Sequence, residues 1–551
     1  MAFENYDINE INQRRTETQF LRQVVTASWV VLFLAIVYQL IFFADITNII
    51  AMSAVVFAWL ITTKTWLRPE LLEKYLISSF MILGFAASQF YFPLLFTTLE
   101  NKPLIHNLEL PEEVFLHATL GLVVLAIAHA LYRFLIRYSL NRSYSLLDKA
   151  GFFTPPSHLQ LWVMGAVGML SSFYVYFTAP DIGREITGSA SDKLIQGLVP
   201  FSYAPFFIPL AKLYGSDEKT HRGFSFMIIS YSIILFAVSM ARNSRGAFIM
   251  GLTNPALAYA LGLLLGVFYT KILTFRNVVV LGLLGWLLLG PFSDLGTAML
   301  IVRDKRTDIP PMELVELTLE TYEDKKAIEA RSQGDLAESM DFDWDERYLD
   351  NIFTARFANI KFNDASLITY SKVGKYDPDM QQFSIDFLIA SLPDPVIKLF
   401  NFDVDKELVV SLSFGDFLYI LSGGYGTPQG YRVGHIAGTG MAAYGWWYLL
   451  LFGLVLIPIF YLNEKFFRRK KGAELLEAET PAERFKFSFC GVLQITSFFQ
   501  FFVFESVVNG AIYLIRGWIQ IVVLYFLIFH LSRLLSILIS GKTGQLRLGT
   551  N

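Results

Sequence analysis

The stretch Ser239–Gly251, SMARNSRGAFIMG, sets Arg242 and Arg245 into a short gap between two long apolar runs. Which side of a membrane this gap faces decides how the rest of the chain is threaded. That a membrane is involved follows from composition. Of 551 residues, 54% are hydrophobic, 51 are Phe, and only 17% are charged. A soluble chain carries about 25% charged residues. The formal net charge of −3 argues against a nucleic-acid partner. Cys490 is the single cysteine, which excludes an internal disulfide and a thiolate metal cluster. Residues 1–21 are polar and no small-residue cleavage site follows the first apolar run, so that run reads as an uncleaved anchor.

A spanning helix needs about 20 mostly apolar residues. Twelve segments qualify, near 22–43, 46–63, 75–97, 114–137, 159–178, 196–214, 224–241, 246–269, 275–292, 437–463, 485–506 and 511–538. Short loops rich in Lys and Arg stay in the cytoplasm. Every even-numbered loop is basic: Lys64, Arg68 and Lys74 in the second, Arg133 to Lys149 in the fourth, Lys212 to Arg222 in the sixth, Lys271 and Arg276 in the eighth, Lys465 to Lys471 in the tenth. Odd loops are short, mixed or acidic, as in TTLENKPLIHNLELPEE at 97–113. The expected fold is therefore an all-α polytopic membrane protein with both termini cytoplasmic. Its parts are a cytoplasmic segment 1–21, spans 1–9 within 22–292, an extracytoplasmic loop 293–436, spans 10–12 within 437–538, and a cytoplasmic tail 539–551.

This threading puts Arg242 and Arg245 outside, against the positive-inside trend. Lipid headgroups or outer carboxylates could pair with them. An outward-facing anion site uses them better. Ser244 suits the N-cap of the next helix, whose free N–H groups and positive dipole end favour an anion beside Arg245. Two guanidinium forks suit a phosphate or a pyrophosphate. Asn254–Pro255 is expected to kink that helix.

The long loop after the ninth span is acidic. It contains helix-like pieces at 310–332 and at 346–362, where Leu349, Ile352, Phe353, Phe357 and Ile360 fall on one face. Loops of such length are functional or disordered, and this periodicity favours an ordered cap. Arg303, Arg306 and Arg356 are cationic candidates within it, as are Arg432 and His435 in the Gly-rich run 422–447, where backbone can approach a ligand closely. Arg516 lies about one turn inside the last span, with Glu505 near the end of the preceding span as its expected partner. Acidic pairs occur in DFDWDE at 341–346 and FDVDK at 402–406, but in a loop this acidic such spacing is common, and no metal is assigned.

The segment RNSRGAF at 242–248, the large outer loop between late spans, and GHIAGTGMAAYGWWYLLLFG at 434–453 resemble the bacterial O-antigen polymerases, or oligosaccharide repeat-unit polymerases. The chain is also similar to the O-antigen ligases, but those carry a His–Asn pair in the outer loop, and here His435 is followed by Ile436. The resemblance covers the layout of most of the chain through short motifs. It implies transfer of a glycan from a polyprenyl-pyrophosphate donor to a lipid-linked acceptor on the outer face of the inner membrane. It implies no nucleotide sugar, metal or other cofactor. The implied partners are a polyprenyl-pyrophosphate-linked oligosaccharide and membrane lipid, and a protein that regulates chain length is compatible with it. As the acceptor hydroxyl attacks C1, negative charge grows on the bridging oxygen, where fixed arginines act electrostatically. Arg242, Arg245, Arg432, Arg516, Arg303 and Arg356 are the expected pyrophosphate ligands. His435 is the expected base, with Glu505 or Asp294 as alternatives.

Three other readings compete. A transporter or flippase of an anionic lipid would show repeated halves and midplane polar sites. Here no repeat is visible and His129 is the clearest intramembrane titratable group. A polyprenyl-phosphate-sugar glycosyltransferase would use an acid in the first outer loop, where Asp45 lies in FFADIT. A scaffold would not need outer arginines. On the polymerase reading, Arg242→Ala or Arg245→Ala lowers polymer formation at least about tenfold, the cost of one charge-assisted contact in the transition state. Immunoblots of the membrane fraction should show undiminished protein.

Overall fold

The computed structural model describes residues 8–136, 146–177, 190–241, 245–268, 274–303, 305, 309–333, 344–424, 432–469 and 484–540. The chain is mostly helical, as the apolar runs require. Among the described residues, eight helices are long and apolar enough to cross a membrane: Phe20–Phe42, Ile46–Thr65, Leu76–Leu99, Pro111–Ile136, Leu194–Tyr214, Phe224–Ala241, Trp447–Glu464 and Val507–Ile539. Helix His158–Phe177 is a further, mostly apolar helix of 20 residues, and Ile249–Leu264 and Gly285–Ile301 are shorter apolar helices.

Several expected spans are reshaped, each for a local reason. The run 437–463 is two helices, Ile436–Tyr444 and Trp447–Glu464, because Gly445 turns the chain at φ 54°. The run 485–506 is not a helix. It forms strand Phe485–Phe487, antiparallel to Phe467–Arg469, then two five-residue helices and a turn. Phe489, Cys490, Val492, Ile495 and Phe498 there are buried. Irregular backbone is tolerated beside a membrane where protein surrounds it. Helix Leu76–Leu99 widens into a π-turn at Ala87–Tyr91 just ahead of Pro93, whose ring cannot fit a regular turn. Pro205 and Pro209 likewise hold Val199–Tyr214 in a 3₁₀ helix.

The connections sort into two groups that touch within a group. On one face, residues 100–110 interlock with 344–364: Lys102 Nζ meets Asp350 Oδ1 at 2.6 Å, Asn107 Nδ2 donates to Asp345 at 2.7 Å, and Tyr348 Oη donates to the Leu104 carbonyl at 2.6 Å. On the other face, Arg468 pairs with Asp148 at 3.2 Å, Glu218 accepts the His158 N–H at 2.7 Å, and Gly215 packs on Lys486. The first group joins odd-numbered loops and the second joins even-numbered ones.

In the long segment, the expected helix at 310–332 forms as Pro311–Glu323 and Lys325–Gln333. The expected helix at 346–362 does not. The Glu100 carboxylate takes the N–H groups of Asp350 and Asn351, the Asn351 side chain caps a single turn at Ile352–Ala355, and Asn359 N donates to the Ser88 carbonyl. Tertiary partners thus satisfy the backbone that a helix would otherwise satisfy. Leu349, Phe353 and Ile360 are still buried.

Helix Ile360–Val373 is the axis of this face. Lys361 and Asp364 form a buried ion pair at 2.7 Å, and Asp364 also accepts the N–H groups of Glu109 and Leu110. Asn363 Nδ2 donates to the Val114 carbonyl at 3.2 Å. One turn on, Ser366 touches Gly438 so closely that an added Cβ would lie 2.3 Å from its carbonyl oxygen. Gly438→Ala should therefore lower stability by about 2 kcal/mol or more through backbone overpacking. Gly282, with nothing within 4 Å of an added Cβ, should accept alanine without loss. Thermal unfolding of both variants in detergent checks the pair.

Candidate functional site

The C-terminal end of helix Pro291–Ile301 leads into Arg303, and the turn Ile352–Ala355 that packs against this helix leads into Arg356. The two guanidinium groups lie close enough to repel. Glu346 links the Arg303 side to the extended segment 432–435. Its Oε1 accepts the Trp344 Nε1–H at 2.9 Å and the Val433 N–H at 2.8 Å, and it feels the fields of both Arg303 and Arg432. Glu346, Arg303 and Arg356 are all solvent-exposed, yet protein packs densely around Glu346 and Arg356. Open to solvent yet flanked by protein, these side chains mark a candidate recess.

Burial pushes the Glu346 carboxyl above its ordinary value, outweighing the two N–H bonds and the two arginines. Burial and the neighbouring Arg303 pull Arg356 below its ordinary value. Among the described residues, neither Arg303 nor Arg356 makes a hydrogen bond or ion pair through its guanidinium. Among the described residues the donors of these two charges are unmatched, which suits an anion.

Arg432 is handled differently. Its Nη1 meets Asp416 Oδ1 at 3.2 Å, its guanidinium stacks 4.0 Å over the Tyr419 ring, and Ser413 Oγ donates to its carbonyl at 2.7 Å. Asp416 completes a capping box with Ser413 at the start of helix Phe414–Leu421. Arg432 therefore walls the recess through a fixed pair. Arg516 donates to the Ser391 carbonyl at 3.3 Å, and its expected partner Glu505 instead accepts the Phe414 N–H at 3.0 Å. Both act at helix ends away from Arg303 and Arg356.

His435 does not have the geometry of a base. It N-caps helix Ile436–Tyr444, with Nδ1 accepting the Ala437 N–H at 3.3 Å and its own N–H donating to Ser366 Oγ at 2.8 Å. Nε2 is sealed from solvent without a partner. Burial lowers its pKa from 6.5 to about 3, so the ring is neutral and cannot pass a proton outward. Glu505 shares this junction: its carbonyl accepts Thr439 Oγ at 2.5 Å.

Arg242 and Ser244, the side chain of Arg245, and Arg306 lie outside the described residues. The backbone of Arg245 begins helix Arg245–Leu264. Asp294 pairs with Lys325 at 2.8 Å, and Asp45 caps helix Ile46–Thr65. In the acidic motifs, Asp345 pairs with Arg347 at 2.9 Å and Asp405 caps helix Lys406–Ser411. No group of three His, Cys, Asp or Glu that could hold a metal occurs among the described residues. His129 is bonded at both ring nitrogens, to Trp66 Nε1 at 3.1 Å and Ser78 Oγ at 3.2 Å, and Ser78 Oγ donates to Glu464. Glu464 caps the first turn of helix Leu76–Leu99 through the Ile77 and Ser78 N–H groups.

The spacing of DFDWDE does not single out Glu346; its environment does, through the Trp344 and Val433 hydrogen bonds and the fields of Arg303 and Arg432.

The lowered pKa of His435 has a consequence for stability. The folded state binds fewer protons than the unfolded state between about 3 and 6.5. The imidazole thus costs nothing above 6.5, and stability is lost as pH falls through that window. At pH 5 the loss approaches about 2 kcal/mol. His435→Asn, which keeps a capping side chain, should shrink the drop in Tm between pH 7.5 and 5; an unchanged drop would refute the burial argument.

No protein-family model, no curated protein and no solved structure matches this chain.

Proposed function

We propose that this polytopic membrane protein is a glycosyltransferase that polymerises lipid-linked oligosaccharide repeat units, with a polyprenyl-pyrophosphate-linked glycan as donor. The observation that carries the reading is that Arg303 and Arg356, unmatched by any described carboxylate, lie close to one another, with the raised-pKa carboxyl of Glu346 in the field of Arg303. In this reading the recess faces outside a bacterial inner membrane, both termini are cytoplasmic, and some twelve segments cross or enter the bilayer. The grouping of odd loops on the recess face supports that threading, as does the packing of helix Pro311–Glu323 on helix Phe224–Ala241, which precedes Arg242 in sequence.

The acceptor hydroxyl attacks C1 of the donor sugar. The C1–oxygen bond to the pyrophosphate breaks, and polyprenyl pyrophosphate leaves with the electron pair. Arg303 and Arg356 offset the charge that grows on the leaving oxygens. Glu346, ionised, accepts the hydroxyl proton as the new glycosidic bond forms and returns it to water. A carboxyl with a raised pKa is a stronger base once ionised than an ordinary one. His435, Asp416 and Glu505 hold the frame.

Purified protein given a polyprenyl-pyrophosphate-linked oligosaccharide should form a ladder of repeat multiples on a gel, with or without EDTA. Arg356→Ala and Arg303→Ala should each lower the rate at least about tenfold, close to 2 kcal/mol of transition-state stabilisation. Glu346→Gln should lower kcat with little change in KM. In the wild type, kcat/KM should fall as pH drops through a value above the ordinary glutamate range, and the variant should lack that limb. Absence of a ladder from confirmed substrate and intact protein would sink the reading.

A further inference from the structure

The segment 391–408 carries large apolar side chains that stand exposed among the described residues. Leu399 is 77% exposed, Phe400 64% and Leu408 56%. The Phe400 and Phe402 rings stack on one another at 5.8 Å rather than on the core. A patch of this kind in water is costly and calls for a covering surface.

The position of the segment identifies that surface. Helix Pro378–Ala390 leads into it and is tied at both ends to helices that enter the membrane. At its start, Asp377 N donates to the Ala442 carbonyl at 2.9 Å, Gln381 Nε2 donates to the Ala443 carbonyl at 2.8 Å, and the Tyr376 ring lies against Gly445. Exposed Trp446 and Trp447 follow at once and begin the span Trp447–Glu464. Paired aromatics at the mouth of a span mark the headgroup level. At its end, the Ser391 carbonyl accepts from Arg516, which sits near the start of the span Val507–Ile539 between the exposed residues Ile515 and Ile519. Thirteen helical residues cover roughly 20 Å. A helix of that length strung between the mouths of two spans runs along the membrane plane. Its continuation, 391–408, is then flush with the lipid-facing belt of the last span. Lys406 turns back to Asp394 and the Leu392 carbonyl, which keeps its charge on the polar side of the apolar patch.

We infer that segment 391–408 is an in-plane membrane anchor, its Leu399, Phe400, Phe402 and Leu408 side chains seated in the lipid leaflet on the recess face. The inference uses the membrane placement of the spans alone and stands apart from the proposed activity. An anchor here holds helix Phe414–Leu421 and Arg432, which follow it, at a set height above the leaflet from which a lipid-linked substrate would arrive.

Site-directed spin labelling of the full chain in lipid nanodiscs tests this. Cys490 is the one cysteine and is buried, so labels go into a Cys490→Ala background, or into the native one if that variant fails to fold. Leu399→Cys and Phe400→Cys are compared with Ile519→Cys as a lipid-facing reference and with Lys326→Cys and Asp403→Cys as water-facing references. The ratio of collisions with oxygen to collisions with a water-soluble nickel chelate should shift at 399 and 400 to the Ile519 value, while 403 stays with 326. Ratios at 399 and 400 equal to that at 326 would place the patch in water and overturn the anchor. Low collision with both reagents, accompanied by dipolar broadening between labels, would assign the patch to a second copy of the chain and overturn it equally.

Discussion

The Lys361–Asp364 ion pair is the contact on which the recess face depends. Its side chains are 3% and 0% exposed. Two buried charges are stable together only when every donor and acceptor is used. Here Lys361 Nζ also donates to the Asn107 carbonyl at 2.5 Å, and the Asp364 carboxylate collects two further backbone N–H groups. Removing one member of such a pair costs about 3–5 kcal/mol. The pair therefore locks helix Ile360–Val373 to residues 107–110 in one register. The same helix carries Ser366, which receives the His435 N–H and the close approach of Gly438. Chain from three distant parts of the sequence is thereby held around one axis.

Within that frame, arginines of the same kind meet three different fates. Arg432 has an acid, an aromatic face and a capping box around it. Arg516 closes the end of a helix through a carbonyl. Arg303 and Arg356 lie close to one another without an ion-pair partner among the described residues, and Glu346, in the field of Arg303, already has its oxygen bonded by Trp344 and Val433. Leaving two charges unmatched works against folding. A fold that tolerates them has a rigid support elsewhere, and the interlocked 100–110 and 344–364 segments supply it.

The opposite face has no comparable opening among the described residues. Glu464 caps a helix, His129 is bonded on both sides, and the small antiparallel pair Phe467–Arg469 and Phe485–Phe487 folds the chain back into the core. Polar groups that the sequence presents as intramembrane oddities are there satisfied by neighbours.

The apolar runs by themselves determined that the chain is a helical membrane protein and where most long helices lie, because a run of some twenty apolar residues has no other stable home. They also determined that odd and even loops differ in charge, which matches the two groups of contacts. Local pattern failed where tertiary partners replaced helical hydrogen bonds. Residues 346–362 have a clean apolar face, yet Glu100 and Ser88 claim their backbone; 485–506 is apolar enough to span, yet it is buried by protein and folds irregularly. The arginines were legible as residue types, but pairing is a matter of what approaches from elsewhere. Asp416 neutralises Arg432 from sixteen residues away, and burial raises Glu346 and silences His435 through neighbours remote in sequence. Residue type sets which charges exist; only the packed structure decides which of them stay available to a ligand.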